Sequence, residues 1–402
     1  MNVLFVHNNF PAQFRHVVAA LLAEGRHRIA AICTRQASVP PGVQAERYEA
    51  PQGVTAHIFA RRFDSECRRA EQVLYAAARL QSSGFLPDII VAHSGWGETL
   101  PLREVFPGAK IVVYSEFYYR SRGQDVGFDP EFPEYGVDGR VSLTIKNASQ
   151  LLALADADIA VSPTLWQRST YPVEFHSKIR VIHEGIDTTR VAPSAAAMFR
   201  LAPDHVLTTK DEVITYVARN LEPMRGVHSF LRALPRMLER RPRAQVVVVG
   251  GDGVSYGAAV EPPFRNWRER FWQEVAGHVD ATRVHFVGQI TYERYLSLLQ
   301  LSSVHIYLTY PFVLSWSLLE AMSAACAVVA SDTMPVREFV SSERGRLVSF
   351  FDSDDLADQV VQLLDNREKL LTMQRASRDF IVKNYDMQTQ CRPQFMSLLE
   401  SL

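Results

Sequence analysis

A chain of 402 residues is longer than one ordinary core fills, so two domains of roughly 150–200 residues are expected. With 47% hydrophobic and 22% charged residues and a formal net charge of −1, it is composed like a soluble globular protein and gives no global basis for nucleic-acid binding. No apolar run reaches the roughly 20 residues of a membrane span, and Cys33, Cys67, Cys326 and Cys391 lack metal-ligand spacing, which points to a reducing, cytoplasmic setting.

The first residues lack the charged start of a signal peptide; Val3 to Val6 read as a buried strand. A turn at Asn8, Asn9, Phe10 and Pro11 follows, where Asn tolerates positive φ. Phe14, Val17, Val18, Leu21 and Leu22 then share a helix face, Gly25 stops the helix, and Ile29 to Cys33 form the next strand, a βαβ opening. A helix over 61–80 carries five arginines, but Asp64, Glu66 and Glu71 dilute them, so a solvated face is expected over a lipid-binding one. Two strands, 88–92 and 110–114, end in the polar stretches 93–97 and 115–120. In an open parallel sheet such ends meet ligand. His93 there is either a group that orients a hydroxyl or exchanges a proton, or a histidine simply satisfied at a strand end. A long Gly- and Pro-rich loop covers 121–139, a helix 141–155, and a strand begins at Asp158. Lys178 to Asp187 form a strand and turn, and small residues from Ala192 suggest a hinge at 186–195.

The βα pattern restarts at Val213. A strand to Ala218 leads into a loop with Arg219, Arg225 and Gly226, and a helix runs over 227–238. The strand from Ala244 enters a loop with Gly250, Gly251 and Gly253, where backbone can approach a ligand closely. A further strand and turn span His285 to Thr291, and a helix spans 292–301. Val304 to Thr309 alternate as a strand that Pro311 stops. Leu314, Leu318, Leu319 and Met322 then recur at helical spacing, with Ser315 or Ser317 as the cap, before a buried strand from Ala327. Glu320 sits on this apolar helix and needs a partner. Helices are expected at 354–364, 367–385 and 388–399.

Three stretches of this series carry a resemblance to the retaining family 4 glycosyltransferases (glycosyl transferases group 1). Glu320-Ala321-Met322 resembles the second half of that family's nucleotide-sugar signature, whose first Glu is replaced here by Phe312. Arg219, Arg225 and Gly226 resemble its phosphate loop, with Arg225 in the place of a Lys. The 178–187 turn resembles its interdomain turn, with His183 and Glu184 in place of Pro and Asn. The resemblance implies an α/β fold of GT-B architecture, two Rossmann-like domains facing a cleft. An acceptor domain at 1–187, joined by the terminal helix 386–402, would precede a donor domain at 188–385. The implied reaction is retaining transfer of a sugar from a UDP-, GDP- or ADP-sugar to a glycan or lipid-linked acceptor, in surface polysaccharide or glycoconjugate synthesis.

The donor would lie on Arg219, Arg225, Gly251, Gly288, Ile290, Val313, Leu314, Ser315, Trp316 and Glu320. The two arginines would stabilise the leaving diphosphate, with backbone N–H groups of 313–316 beside them. Asn9, Phe10, His93, Glu116 and Tyr118 fall on the acceptor side, where Glu116 takes a position at which relatives often carry His. Arg219, Arg225 and His93 are the catalytic candidates. No cofactor and no metal are implied. The triplet Asp156-Ala157-Asp158 resembles the acidic motif of metal-dependent sugar transferases, but between a helix end and a buried strand it reads as a turn and cap. Peripheral contact with the inner membrane face is compatible with a lipid-linked acceptor; no helix demands it. Phe312 and Glu116 also leave open a non-catalytic nucleotide- or partner-binding protein, and the fold leaves open a nucleotide-sugar 2-epimerase. Nothing in the sequence fixes the oligomeric state.

Overall fold

A computed structural model describes residues 1–49 and 57–402. The chain divides into two compact units, 1–185 with 387–402, and 186–386. The first holds seven parallel strands: β1 (Asn2–Val6), β2 (Arg28–Thr34), β3 (Val43–Tyr48), β4 (Ile89–His93), β5 (Lys110–Tyr114), β6 (Ile159–Ser162) and β7 (Ile179–Val181), in the order β3-β2-β1-β4-β5-β6-β7. The second begins with an antiparallel pair, β8 (Met198–Ala202) and β9 (His205–Thr208). Six parallel strands follow: β10 (Val213–Asn220), β11 (Gln245–Gly251), β12 (Val284–Gly288), β13 (Val304–Tyr307), β14 (Ala327–Ser331) and β15 (Arg346–Val348), in the order β12-β11-β10-β13-β14-β15.

Parallel strands need crossover helices, which cover both faces of the sheet, so the strands read as continuous apolar runs. In the first unit, Val3 and Phe5 face one way, toward the helix Arg15–Glu24 and the terminal residues Phe395 and Leu399. Leu4 and Val6 face the other, toward the helix Arg61–Ser82. Gly25, at φ +66°, ends the first helix as its sequence position predicts. In the second unit the core beneath β13 and β14 gathers Leu318, Leu319 and Met322 of the helix Trp316–Ser323.

Each sheet has one point where its strand order reverses: between β1 and β4 in the first, between β10 and β13 in the second. Helices on the two sides of such a point leave the sheet in opposite directions, and the carboxyl ends there stand open to a ligand.

Several elements depart from the sequence reading. The edge strands β3 and β15 and the β8–β9 hairpin lack an apolar run long enough to announce them. The expected helix 141–155 is two helices, Val137–Ile145 and Ala148–Asp156, broken at Asn147, whose side chain accepts from the N–H of Tyr119 (3.0 Å) and donates to its carbonyl (2.8 Å). Arg219 lies within strand β10, which ends at Asn220, instead of opening the loop, and the final helix, Arg392–Glu400, is preceded by a π-turn at Met387–Cys391. Asp158 has a structural role: its Oδ2 accepts from the N–H of Ile111 (2.9 Å) and from Arg103 (2.8 Å).

Candidate functional site

The reversal point of the second sheet is bridged by one side chain. After β10 the chain turns through Pro223–Arg225 into Gly226. Gly226 has φ +71°, and a Cβ there would lie 2.5 Å from Cβ of Leu308, so the turn closes against the β13 side only without a side chain. This fixes Arg225, which is buried. Its Nη1 donates to Thr309 Oγ1 (2.8 Å) and its Nη2 to the carbonyl of Val313 (3.2 Å), both beyond β13. The Tyr216 hydroxyl donates to the Arg225 carbonyl from below. The rings of Tyr256 and Phe312 flank the guanidinium, with centroids 5.4 and 5.9 Å from its carbon. Arg219 is exposed and has no hydrogen-bond or ion-pair partner among the described residues. A buried guanidinium with a second, free one on the same strand end attracts an oxyanion.

Beyond Phe312 the chain enters the helix Trp316–Ser323, capped by Ser315, whose Oγ lies 3.4 Å from the Ser317 N–H. The Ser315 N–H donates to the Tyr307 hydroxyl (2.8 Å) and the Phe312 N–H to the Tyr310 carbonyl (2.7 Å). The Ser315 N–H is thus already engaged, a correction to its expected place among the anion donors. The Leu314 side chain lies in the core, which leaves its backbone for the expected ligand contact. Val313 and Trp316 are half-buried beside it. Glu320, one turn further on, is buried, and its partners come from the helix Tyr292–Leu301: Tyr292 donates to Oε1 (2.7 Å) and Tyr295 to Oε2 (2.8 Å). Burial and the adjacent carboxylate push the Tyr295 hydroxyl well above its ordinary pKa, so it stays a donor. The spacing of Tyr292 and Tyr295, three apart on one helix face, was the available signal for this clamp.

The glycine-rich loop is anchored by a carboxylate that the sequence did not single out. Buried Glu222 accepts on Oε2 from the N–H groups of Ser255 (3.2 Å), Tyr256 (3.3 Å) and Gly257 (3.3 Å). That anchoring sets Tyr256 beside Arg225 and Phe312. A Cβ on Gly251 would stand 2.5 Å from Asn220 Oδ1. Gly288 adopts φ +67°, and Ile290 packs against the core at the sheet's edge, away from the bridge.

In the first unit, His7 ends β1's extension and His93 ends β4, on the two sides of the reversal point. Each accepts on Nδ1 the N–H of the residue two further on, Asn9 or Gly95, both at 2.9 Å. A neutral ring whose Nδ1 accepts carries its proton on Nε2. Nε2 of His93 lies 3.8 Å from Glu116 Oε2, and its ring stacks on Trp96 with centroids 4.0 Å apart. Burial pushes His7 down to about 3 and keeps it neutral, with neighbouring His93 acting in the same sense. Behind them, wholly buried Glu98 accepts from the Tyr48 hydroxyl; burial raises its pKa. The structure thus joins His93 and Glu116 and adds His7, Trp96 and Glu98, which sequence reasoning missed. Phe10 is 1% exposed and belongs to the core beside Phe5. Tyr118 turns toward Tyr171 and the core, and Asn9 is exposed beside His7. Phe10 and Tyr118 are therefore not brought to the His93 group.

The model of the Glycosyl transferase family 4 group matches residues 25–191, and that of the Glycosyl transferases group 1 matches 199–380. Phosphatidyl-myo-inositol mannosyltransferase of Mycolicibacterium smegmatis is 29% identical over 159 residues, 38% of this chain and 36% of the relative. Glycogen synthase of Mycobacterium tuberculosis is 26% identical over 214 residues, 53% of this chain and 46% of the relative. The chain spans less than half the length of these relatives. Among solved structures, sucrose-phosphate synthase from Thermosynechococcus elongatus superposes with a TM-score of 0.74 at 17% identity, covering 100% of this chain and 98% of the other. Anabaena HepE, solved with UDP and glucose, gives 0.69 at 16% identity over 100% of both chains. These likenesses show the fold, two Rossmann-like α/β units of the GT-B class. No described helix is long and apolar enough to cross a membrane.

Proposed function

We propose, for a chain that belongs to the group 1 glycosyltransferases, that it is a retaining hexosyltransferase that takes a nucleotide-diphosphate sugar on its second unit. The carrying observation is the bridge made by Arg225 across the reversal point of the second sheet, from the β10 turn to Thr309 and Val313. Arg225 and the unpaired Arg219 neutralise the diphosphate as it leaves. Glu320, oriented by two tyrosines, accepts from the ribose hydroxyls. The leaving diphosphate takes the acceptor's proton on the face of departure, so the reaction needs neither a protein nucleophile nor a metal. The first unit takes a glycan or lipid-linked acceptor by a hydroxyl held at Glu116 and His93. Surface polysaccharide or glycoconjugate synthesis is the setting that fits such an acceptor, with the protein in the cytoplasm or at the inner membrane face.

The similar HepE structure was solved with UDP, so a uridine nucleotide is the first donor to try. Calorimetric titration against UDP, GDP and ADP, repeated with Arg225→Ala, tests the site. One nucleotide binding at micromolar strength, and at least tenfold weaker in the variant, supports it. A folded protein that binds none of the three overturns it. A second reading, a nucleotide binder without transfer chemistry, is favoured by buried Phe312, which puts a ring where a polar contact to the sugar is expected. It predicts nucleotide binding without turnover of any donor, either to an acceptor or to an epimer.

A further inference from the structure

The amino-terminal end of the second sheet, opposite the strand ends near Arg225, carries a cavity. The amino ends of β11, β10, β13 and β14 lie side by side, and a groove of about 740 Å³ runs along them. Its size falls within the range of about 300–1,000 Å³ that small-molecule sites occupy. Lys210 enters it from the β9–β10 turn, Arg243 from the residues before β11, and Arg367 from the start of the helix Arg367–Tyr385. Leu370 and Leu371 of that helix add apolar wall.

The charge in this groove is unbalanced in a specific way. Its two acids are already satisfied: Asp211 Oδ2 accepts from the N–H (2.7 Å) and hydroxyl (2.9 Å) of Thr208, and Glu212 is held by both arms of the Arg241 fork. Its three cations are not, since Lys210, Arg243 and Arg367 have no side-chain hydrogen bond or ion pair among the described residues. With Glu212 neutralised by Arg241 and Asp211 alone keeping its charge, the three unpaired cations from three separate segments leave the groove net positive and favour an anion that carries more than one charge centre. The apolar wall favours a ligand with a carbon skeleton over a bare ion.

We propose that this groove is a second binding site, for a small metabolite bearing two phosphate groups, at the end of the sheet opposite Arg225. The proposal stands independently of the donor reading, because no residue is shared between the two sites. Lys210 and Arg243 grip one phosphate group, Arg367 the other, and Leu370 and Leu371 cover the skeleton between them.

The test is calorimetric titration of the full chain with fructose 1,6-bisphosphate as probe, at low and at physiological ionic strength. Wild-type protein, the exposed pair Lys210→Gln/Arg243→Gln, Arg367→Gln alone, and Arg225→Ala are compared, each checked for folding by near-UV circular dichroism. Saturable one-site binding is expected, at least tenfold weaker in the double variant and in Arg367→Gln, and within twofold of wild type in Arg225→Ala. Absence of saturable binding at millimolar probe, or equal binding in the double variant, overturns the proposal. Binding lost only in Arg225→Ala also overturns it, since the probe would then occupy the diphosphate site.

Discussion

His93 and Glu116 face each other at neighbouring strand ends of the first sheet, Nε2 to Oε2 at 3.8 Å. Because Nδ1 of His93 accepts the Gly95 N–H, the neutral ring presents a donor, not a base, toward Glu116. Stacking on Trp96 holds the ring in that attitude. The carboxylate of this pair is suited to fix a hydroxyl by accepting its hydrogen bond. Glu116→Gln keeps the shape and removes the charge. It should lower turnover on the order of 10²-fold, the scale on which a misplaced reacting group slows a reaction, while nucleotide affinity stays within twofold. Steady-state rates that remain within threefold of wild type would remove Glu116 from the acceptor site.

The Gly226 turn sets the Arg225 bridge, and its failure should be visible in stability before activity. An L-residue at φ +71° costs roughly 1–2 kcal/mol. The clash of a new Cβ with Leu308 adds an overpacking term of about 1–3 kcal/mol. Gly226→Ala is therefore expected to lower unfolding free energy by roughly 2–5 kcal/mol, read from urea midpoints at constant m. A loss below about 0.5 kcal/mol, the scale of ordinary surface substitutions, would mean that the turn is free to rearrange.

Much of this organisation was legible in the sequence. The parallel strands announced themselves because burial on both faces demands unbroken runs such as Val246 to Val249. Gly25 and Ser315 marked helix ends because their local chemistry leaves few alternatives. Glu320 stood out as a charge on an apolar helix, and Arg225 by its place in a loop that Gly226 closes before a helix. What stayed hidden depends on contacts distant in sequence. Nothing near Glu222 says that three N–H groups more than thirty residues away will close on it. Phe10 read as a site residue because it follows a strand end, yet its ring fills the core between β1 and the first helix. Short edge strands such as β15 escape for a related reason: they are specified by the neighbour they pair with.

Ala325 presents the opposite case to Gly226. It follows the helix Trp316–Ser323 at φ +60°, in a Schellman arrangement in which the Cys326 N–H donates to the Ala321 carbonyl (2.9 Å) and the Ala325 N–H to the Met322 carbonyl (3.1 Å). The geometry is one that glycine enters freely and alanine does not. The left-handed penalty of roughly 1–2 kcal/mol is partly offset by glycine's larger entropy loss of about 0.5–1 kcal/mol. Ala325→Gly should raise stability by about 0.5–1 kcal/mol, measured by chemical denaturation, without altering nucleotide binding. A destabilised variant would show that the Ala325 methyl group makes a packing contact that outweighs the strain.

His305 gives the fold an acid limit. It is fully buried on β13, with Nδ1 2.9 Å from Thr215 Oγ1, and burial pushes its pKa from 6.5 down to about 3. The unfolded chain therefore binds a proton below about 6.5 that the folded chain refuses until about 3. Stability from this group is complete above pH 6.5 and falls as pH drops through that window. At pH 5 the loss is about 2 kcal/mol, from 1.36 kcal/mol per unit over 1.5 units. His7 acts in the same direction, so a single substitution should flatten the profile only in part. Urea denaturation of wild type and His305→Gln at pH 7 and pH 5 measures this contribution directly: the wild type should lose about 2 kcal/mol more than the variant between the two. Equal losses would mean that His305 is protonated inside the fold at pH 5, which needs an acceptor or water beside Nε2, an atom with no partner among the described residues.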